Sequence, residues 1–453
     1  MIGPSRRLAA ALGLAGAALL SPPAPAHLAA QQPVPRLDAA ARRAVVDSLR
    51  SLLIRVYVDA DTGRLIAEHV RAAHASGAYD SIADAGELGR ALTRDLRSVN
   101  GDGHLAVGFA PDAPVDRLGP GGLEFAGEGG GDDAAAVEAQ ARGFHFGLGK
   151  LELLAGNVGY AELTGFFDGD AAERMMLAAL EYLRDADAVI FDLRAHGGGS
   201  GDMSNWLLSH FLAGDSLLTL RVVERVNGRT VDRYTLAEVP GPRRPEVPLF
   251  ILTSGATASA AEDFTFILDN LGRAVVVGDT TAGAGHNNTL LALGHGMVAS
   301  ISFSRVTDPN TGREWERVGI TPDMAVPAER ALAAAHLAAL DTLAAKGPPP
   351  AARRLQLLRE TTAARYTPRA VPEARLRGYT GTYGDREIRF RGGGLVYRRG
   401  QGGEVGMIAL SDSTFALESA PAVRIEFRGS GAETVLVVRQ QGGTPVEVPR
   451  NAD

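Results

Sequence analysis

The chain has 453 residues, of which 45% are hydrophobic and 22% are charged, so it is long enough to form two or three domains with buried cores. Its formal net charge of −7 argues against a nucleic-acid-binding protein, which usually presents a basic face. The absence of cysteine excludes disulfides, thiolate metal sites and a cysteine nucleophile. We expect no cofactor and no metal ion, and beyond the N-terminus no apolar run is long enough to span a bilayer.

The first thirty residues have the pattern of a secretory signal peptide. Residues 6–7 (RR) precede an apolar run over residues 8–20, and residues 24–26 (APA) form a candidate cleavage site. A basic start, a short apolar middle and a small-residue end are typical of export signals, whereas a buried N-terminal helix is the competing interpretation. We therefore expect residues 1–30 to be removed, leaving a chain in the bacterial periplasm or outside the cell.

The rest of the chain divides into a helical, an α/β and a β segment. Helical spacing of apolar residues predicts a helical N-terminal domain over residues 34–105. Short apolar runs then alternate with helical stretches, which predicts an α/β core over residues 106–345. Residues 346–374 begin with a linker composition, and alternating runs over residues 375–453 predict a small antiparallel β-domain. In chain order, the predicted elements from residue 44 onward are helices over 44–56, 65–75 and 85–96, strand 157–163, helix 170–184, strands 188–193 and 249–253, helix 259–271, strands 273–277 and 298–303, and helix 329–345.

Four short segments carry the residue types that do chemistry. They are residues 100–105 (NGDGHL), 191–199 (FDLRAHGGG), 253–262 (TSGATASAAE) and 315–323 (WERVGITPD). The second and third each follow a buried strand and lead into a helix, where backbone N–H groups can face a ligand. A serine that attacks a carbonyl needs such donors for the oxyanion and usually takes histidine as its base. Two strand-to-helix turns on one sheet edge could therefore supply a nucleophile and an oxyanion hole.

Each segment also has a purely structural interpretation. Ser259 and Glu262 fit a helix capping box, S-x-x-E, and three consecutive glycines at 197–199 fit a tight turn. A histidine such as His104, in a turn rich in Gly and Asp, is usually a surface residue. The order and spacing of the four segments, and not any one of them alone, favour a catalytic site.

Taken together, residues 37–330 resemble the tail-specific, or carboxy-terminal processing, serine peptidases, in the branch of the tricorn core and the interphotoreceptor retinoid-binding protein repeats. Residues 192–199, 253–262 and 316–323 are similar to the family patterns DLRxNxGG, TSxxTxSAAE and EGxGVxPD, and residues 96–105 to its DxH segment. The resemblance implies an α/β fold, a crotonase/Clp-protease-like spiral of ββα units, acting on a peptide or protein substrate.

The same resemblance assigns roles to individual residues. Processing proteases of the family use a Ser–Lys dyad, but the lysine position in residues 278–285 (GDTTAGAG) holds Ala284. The chain's two lysines, Lys150 and Lys346, fit no motif, so the resemblance implies the tricorn-like combination of Ser, His and an acid. By motif position the nucleophile is Ser259, the base is His104, the supporting acid is Glu316, and the oxyanion donors are the N–H groups of Ala260 and of Gly198 or Gly199.

Three departures from the family pattern bear on function. His196 stands where the family has Asn, beside the oxyanion loop, and its charge would vary with pH. His286 follows the glycine segment, at a position where the retinoid-binding branch also tends to have His, and it is the rival base. Residues 106–150 are too few, and lack the pattern, for the family's PDZ domain, which favours short peptides or exposed tails over long processive cleavage.

Three functions are open at this point. The first is an exported serine peptidase that cuts peptides or protein C-terminal tails through an acyl-enzyme. The second is a binding protein for hydrophobic ligands or peptides, since fold does not prove activity. The third is a hydrolase of non-peptide esters that uses the same residues. The joint presence of Ser259, His104 and Glu316 favours the peptidase, with an acidic limb of kcat/KM between about pH 6 and 7.5 if Glu316 raises the pKa of the base.

Overall fold

The computed structural model describes residues 36–119, 122–124, 138–139, 141–214, 216–241 and 243–451. The predicted signal peptide lies outside these described residues. No helix in the described part of the chain is both long and apolar enough to cross a membrane.

The chain forms two compact units. The first extends to Ala331, except for two short stretches, residues 153–159 and 186–188. Those stretches belong with the second unit, which continues from Leu332 to Asp453.

The first unit begins with three helices: α1 (Ala39–Val56), α2 (Ala60–Ala75) and α3 (Ala85–Asn100). An aspartate precedes each helix and accepts a hydrogen bond from a backbone N–H of the first turn, which stabilises the helix start; these residues are Asp38, Asp59 and Asp84. Helix α3 ends at Gly101, whose φ of 75° lies in the left-handed region that favours glycine. The helical N-terminal region is therefore confirmed. Its last helix is followed directly by the turn that contains Asp102 and His104.

Further helices of the first unit are α4 (Asp170–Tyr182), α5 (Gly201–Ser209) and α6 (Ala260–Asn270). Its strands are β1 (Ala106–Phe109), β2 (Arg117–Gly119), β3 (Gly122–Glu124), β4 (Leu148–Leu154), β5 (Val158–Leu163), β6 (Ala188–Asp192), β7 (Leu218–Glu224), β8 (Thr230–Tyr234), β9 (Leu249–Thr253), β10 (Val275–Gly278), β11 (Asn287–Gly294), β12 (Met297–Thr307) and β13 (Met324–Ala325). Strands β4 and β5 include residues of the second unit.

Two main sheets are built from these strands. One is antiparallel, with the order β1-β12-β7-β8 and with β11 paired to β12, and its apolar side chains join the core of the three N-terminal helices. The other has the order β13-β10-β9-β6-β5-β4, and its strands β6, β9, β10 and β13 run parallel. Parallel strands with crossover helices confirm the α/β class of the core. Because the carboxyl ends of parallel strands lie at one edge, the turns after β6, β9 and β10 meet there.

The second unit contains α7 (Ala328–Lys346, which begins in the first unit), α8 (Pro349–Tyr366), α9 (Glu373–Gly378) and eight antiparallel strands paired in chain order. The strands are β14 (Gly381–Tyr383), β15 (Arg386–Arg391), β16 (Gly394–Arg399), β17 (Val405–Ala409), β18 (Thr414–Leu417), β19 (Ala420–Arg428), β20 (Val435–Arg439) and β21 (Val446–Pro449). Just after β21, the N–H of Asn451 donates to the carbonyl of Thr382 in β14 at 2.8 Å, which joins the two ends of the sheet. The predicted small β-domain is confirmed.

The segment predicted as a linker, residues 346–374, is mostly helical. Its prolines start helix α8, because Pro348 precedes the helix and Pro349 is its first residue. A proline at the first helical position lacks an N–H that would have no partner there anyway, and its fixed φ suits the helix. The prolines that suggest a linker in the sequence therefore lie at the beginning of a helix.

Candidate active site

The turns after β6 and β9 are joined by hydrogen bonds. The N–H of Ala258 donates to the carbonyl of His196 at 3.1 Å, and the hydroxyl of Ser254 donates to the carbonyl of Arg194 at 2.6 Å. These bonds hold the glycine turn and the serine turn as one framework at the carboxyl edge of the parallel sheet.

Ser259 has an unusual backbone conformation at the start of α6. Its φ of 56° and ψ of −122° lie outside the extended conformation of an ordinary helix cap. Its N–H donates to Glu262 Oε2 at 2.9 Å, and its carbonyl accepts from the N–H of Asp263 at 2.9 Å. Such backbone strain costs about 1–3 kcal/mol and concentrates at functional sites, as in the strained strand-to-helix turn that exposes a nucleophilic serine. A capping role alone does not explain this conformation.

The glycine turn lies directly against Ser259. A Cβ atom on Gly198 would lie 2.8 Å from the Cβ of Ser259 and 3.3 Å from its Oγ. A Cβ atom on Gly199 would lie 2.1 Å from the carbonyl oxygen of Phe166. Both glycines also have positive φ, 116° and 125°, so only glycine fits at either position without strain.

Backbone donors flank the serine. The N–H of Gly198 donates to His196 Nδ1 at 3.1 Å and is therefore occupied. Within the described residues, the N–H groups of Gly199 and Ala260 have no hydrogen-bond partner. Ala260 is the first residue of α6, where the N–H groups and the helix dipole favour negative charge. Of the three donors expected from the sequence, Gly199 and Ala260 are the two that are available.

His196 is fully buried, with its ring edge-on to Phe166 at a centroid distance of 4.3 Å. Because its Nδ1 accepts from the N–H of Gly198, its proton resides on Nε2. Burial lowers the pKa of His196 to about 3. The expected change of its charge with pH is therefore wrong for the physiological range, because burial outweighs the ordinary basicity of the imidazole.

Glu262 connects the nucleophile turn to the loop after β10. Its buried carboxylate accepts from the Ser259 N–H, from the Thr281 hydroxyl at 2.5 Å, and from the N–H groups of Gly283 at 2.7 Å and Ala284 at 2.8 Å. Ala284 occupies the family's lysine position, and Lys150 is exposed in an ion pair with Glu152. From the sequence, Glu262 is expected to be a cap residue and is the last position of the TSxxTxSAAE pattern, but neither signal gives its contacts with Thr281, Gly283 and Ala284.

Asp102 is the centre of a second cluster. It is fully buried, its Oδ1 accepts from the backbone N–H of His104 at 2.9 Å, and its Oδ2 accepts from the hydroxyl of Tyr57 at 2.9 Å. Burial alone would raise the pKa of Asp102, but hydrogen bonding to His286 and the charge interaction with His104 hold it below its usual value. Asp102 therefore carries a buried negative charge, a role that the turn composition of its segment did not reveal.

His104 is buried beside Asp102. The guanidinium of Arg97 fixes its turn by donating to the carbonyls of Gly103 and Leu105, each at 2.8 Å. Only 2% of His104 is exposed, and neither ring nitrogen has a hydrogen-bond partner among the described residues. Burial lowers the pKa of His104 to about 4, despite the opposing charge of Asp102. The imidazole is therefore neutral at neutral pH and lies inside the protein, unlike a typical turn histidine.

His286 and Glu316 complete the second cluster. The N–H groups of Gly285 and His286 donate to Glu316 Oε2 at 2.8 and 3.1 Å. His286 Nδ1 lies 3.5 Å from Asp102 Oδ2 and 3.6 Å from Glu316 Oε2. Burial would lower the pKa of His286, but the two carboxylates raise it above its usual value. Burial, and then the charge of Asp102, raise the pKa of Glu316 to about 7. The three side chains form one buried charge network.

The structure thus groups the predicted residues in two sets. Ser259 lies with His196, Gly198, Gly199 and Ala260, and Glu262 ties this set to Ala284. Two residues further along the chain, His286 joins Glu316, Asp102 and His104.

Known proteins match the two parts of the chain that contain these two sets of residues. Residues 157–326 match the sequence profile of Peptidase family S41, and residues 27–119 match the N-terminal domain of Peptidase_S41 in eukaryotic IRBP. A carboxyl-terminal-processing protease of Picosynechococcus sp. is 30% identical over 177 residues, which are 38% of this chain and 40% of that protein. Carboxyl-terminal-processing peptidase 3, chloroplastic, of Arabidopsis thaliana is 27% identical over 170 residues, 37% of this chain and 31% of that protein.

Among solved structures, the photosystem II D1 C-terminal processing protease matches with a TM-score of 0.36 and 15% identity, covering 64% of this chain and 93% of that one. The chain spans less than half of the length of the two curated relatives. The resemblance to the tail-specific peptidases is confirmed, because residues 157–326 match the profile of Peptidase family S41.

Proposed function

We propose that the chain is a serine peptidase with Ser259 as its nucleophile. The strained backbone of Ser259, at a strand-to-helix turn between two unoccupied backbone donors, is the observation that carries this proposal. The Gly199 and Ala260 N–H groups would bind the oxyanion that forms when Oγ attacks a carbonyl carbon. Membership of the S41 family and relatives named carboxyl-terminal-processing proteases support a peptide bond as the bond that is cut.

His104 is the proposed general base. It takes the Oγ proton of Ser259 as Oγ attacks the substrate, and it returns that proton to the leaving amine when the intermediate collapses to the acyl-enzyme. Water then hydrolyses the ester and regenerates the serine. The neutral imidazole suits this role, and the nearby ionised Asp102, which accepts from the backbone N–H of His104, stabilises the imidazolium by its charge.

His286 and Glu316 are proposed to support this base. A general base must be unprotonated at the start of the reaction, and the two carboxylates around His286 favour its charged form. Glu316 fixes the backbone of Gly285 and His286, so its role is to position the network. The sequence predicted one acidic residue beside the serine and the histidine, and we propose two, Asp102 and Glu316.

Short peptides and exposed protein C-termini are the proposed substrates. The named processing activity of the relatives supports a tail substrate. A binding protein for hydrophobic ligands, the alternative from the sequence, has no need of a strained serine beside free backbone donors.

A fluorophosphonate probe tests the nucleophile directly, because only an activated serine reacts with it. We expect the wild-type chain to be labelled at Ser259 and the Ser259→Ala variant to remain unlabelled. A peptide-library digest read by mass spectrometry then defines the cleaved bonds. Absence of labelling would contradict the proposed activity, and cleavage of esters without any peptide cleavage would change the substrate class.

We also infer that the chain is exported with removal of its first residues. The apolar run over residues 8–20 and the APA pattern support this inference. N-terminal sequencing of the native protein should begin near His27 or Gln31. An intact Met1 on native protein in the cell envelope would refute cleavage.

A further inference from the structure

We propose that Asp102, His286 and Glu316 form a binding site for a divalent transition-metal ion, best suited to Zn²⁺, and that metal binding inhibits hydrolysis. The binding half of this proposal depends only on the geometry of the three side chains. The inhibition half rests on the proposed peptidase function.

The spacing of the three ligand atoms suits a metal ion better than direct hydrogen bonds. His286 Nδ1 and one carboxylate oxygen each of Asp102 and Glu316 lie within 4.8 Å of one another. The two nitrogen–oxygen distances, 3.5 and 3.6 Å, exceed the roughly 2.7–2.9 Å of a charge-assisted hydrogen bond. Two ligands that each lie about 2.0–2.1 Å from a tetrahedral zinc ion are about 3.3–3.4 Å apart. The two nitrogen–oxygen distances therefore nearly match those of a zinc site, and the two carboxylate oxygens, which lie within 4.8 Å of each other, would have to approach by at most about 1.5 Å.

Glu316 also has a second carboxylate oxygen that does not accept from the backbone N–H groups of Gly285 and His286. The side chain of Glu316 is only 5% exposed, and its Oε1 has no hydrogen-bond partner among the described residues. The neighbouring Asp102 side chain is fully buried. The two adjacent buried carboxyl groups face a single imidazole as their ionisable partner, and a dication would stabilise the charged form of both.

Surrounding groups already orient the ligands. The hydroxyl of Tyr57 donates to Asp102 Oδ2, and two backbone N–H groups donate to Glu316 Oε2. Outer hydrogen bonds of this kind fix the direction of metal-binding side chains. One imidazole nitrogen and two carboxylate oxygens, with no sulfur, suit Zn²⁺ and similar divalent ions, and three protein ligands leave a fourth position open.

A metal ion at this site would make the protonation of His104, the proposed base, less favourable. The imidazolium of His104 is stabilised by the nearby negative charge of Asp102, whose Oδ1 also accepts from the backbone N–H of His104. A dication on Asp102 Oδ2 neutralises that charge and repels the imidazolium. Hydrolysis should therefore fall in proportion to the fraction of sites that hold the metal.

The test uses the full chain, freed of metals with EDTA and then dialysed. Isothermal titration with ZnCl₂ should give one ion per chain, and Co²⁺ should give the visible absorption of a low-coordinate site. The His286→Ala and Glu316→Gln variants should each bind Zn²⁺ at least tenfold more weakly. His69→Ala, which removes an exposed histidine on α2, is the matched control and should bind as wild type.

The outcomes separate the two halves of the proposal. No stoichiometric binding, or wild-type affinity in folded His286→Ala and Glu316→Gln, would overturn the metal site. Zinc binding lost in both variants supports the site even if no peptide is ever cleaved, a result that would count against the peptidase function alone. Peptide hydrolysis that continues unchanged at saturating Zn²⁺ would refute the inhibition.

Discussion

The two halves of the site are built differently. On the side of the proposed nucleophile, the turns that carry Gly198 and Ser259 are fixed by hydrogen bonds, and the N–H groups of Gly199 and Ala260 have no partner among the described residues. On the acid–base side, both ring nitrogens of His104, Nε2 of His286 and Oε1 of Glu316 are buried without partners in the described part of the chain, and on the nucleophile side Nε2 of His196 shares this property.

The two sides therefore differ in how many of their polar groups already have partners before a substrate binds. Buried polar groups in folded proteins nearly always have partners, so a cluster of exceptions needs an explanation. The nucleophile side sets positions before substrate arrives, whereas the acid–base side holds groups that gain partners only from a proton, a substrate or an ion. Substitutions on each side should therefore have different consequences for activity, for pH dependence and for stability.

Ser259→Ala should have the largest effect. Removal of Oγ prevents the acyl-enzyme, so peptide hydrolysis should fall by about 10⁴-fold or more. The fold should persist, because the Ser259 N–H and carbonyl bonds are made by the backbone. Steady-state kinetics and a thermal melt measure both effects.

The matched control for this variant is Ser254→Ala in the same turn. It removes the bond from the Ser254 hydroxyl to the Arg194 carbonyl but leaves the nucleophile intact. We expect a much smaller loss of activity than in Ser259→Ala. Equal losses in the two variants would mean that Ser259 acts through the turn and not as the nucleophile.

The second prediction distinguishes the two histidines. His104→Ala should lower kcat/KM by about 10²–10⁴-fold, the usual contribution of a general base. His286→Ala should lower it less, because it removes a supporting charge. In wild type the acidic limb should lie near pH 4, since burial lowers the pKa of His104 and activity is lost only as pH falls through that value.

This limb differs from the range of about pH 6–7.5 expected from the sequence, because burial outweighs the neighbouring carboxylate. A limb above about pH 6.5 that disappears in His286→Ala would identify His286, whose pKa is raised, as the titrating group. An active His104→Ala beside an inactive His286→Ala would move the base to His286 and leave the serine mechanism in place.

The third prediction concerns the rigidity of the nucleophile side. Gly198→Ala places a Cβ atom 2.8 Å from the Cβ of Ser259 and requires a strained φ of 116°. The resulting shift should lower kcat by about 10–100-fold, because misplacement by an ångström can cost that much. Gly255→Ala is the control, since a Cβ atom there meets nothing within 4 Å. Equal activity of the two variants would show that the turn is adaptable.

Sequence patterns predicted the elements of the core well and the charge network poorly. Strand 249–253 was predicted residue for residue, and helix 329–345 within one residue at each end, because apolar periodicity is local. The family motifs predict Ser259 as the nucleophile, and this assignment remains a proposal. The roles of Glu262 and Asp102 were missed because they arise where distant loops meet, and spacing along the chain does not report which loops meet.

The smallest effect on activity is expected from His196→Asn, whose main consequence is a change in the pH dependence of stability. The pKa of His196 is lowered to about 3 in the folded chain, against about 6.5 when unfolded. Because of this residue, the free energy of unfolding of the wild type decreases as the pH falls from about 6.5 toward 3. The decrease is up to about 1.4 kcal/mol per pH unit, and above about pH 6.5 His196 causes no loss.

Asn removes this proton-binding difference, and its amide oxygen can still accept the Gly198 N–H. The free energy of unfolding, measured by urea titration at pH 6, 5 and 4, should therefore fall more steeply in wild type than in His196→Asn. The buried His104 is present in both proteins, so its contribution cancels in the difference. Parallel losses of stability would mean that His196 gains a proton or a partner in the folded chain. His196 would then resemble the acid–base side of the site, and the contrast between a fixed half and a titratable half would no longer hold.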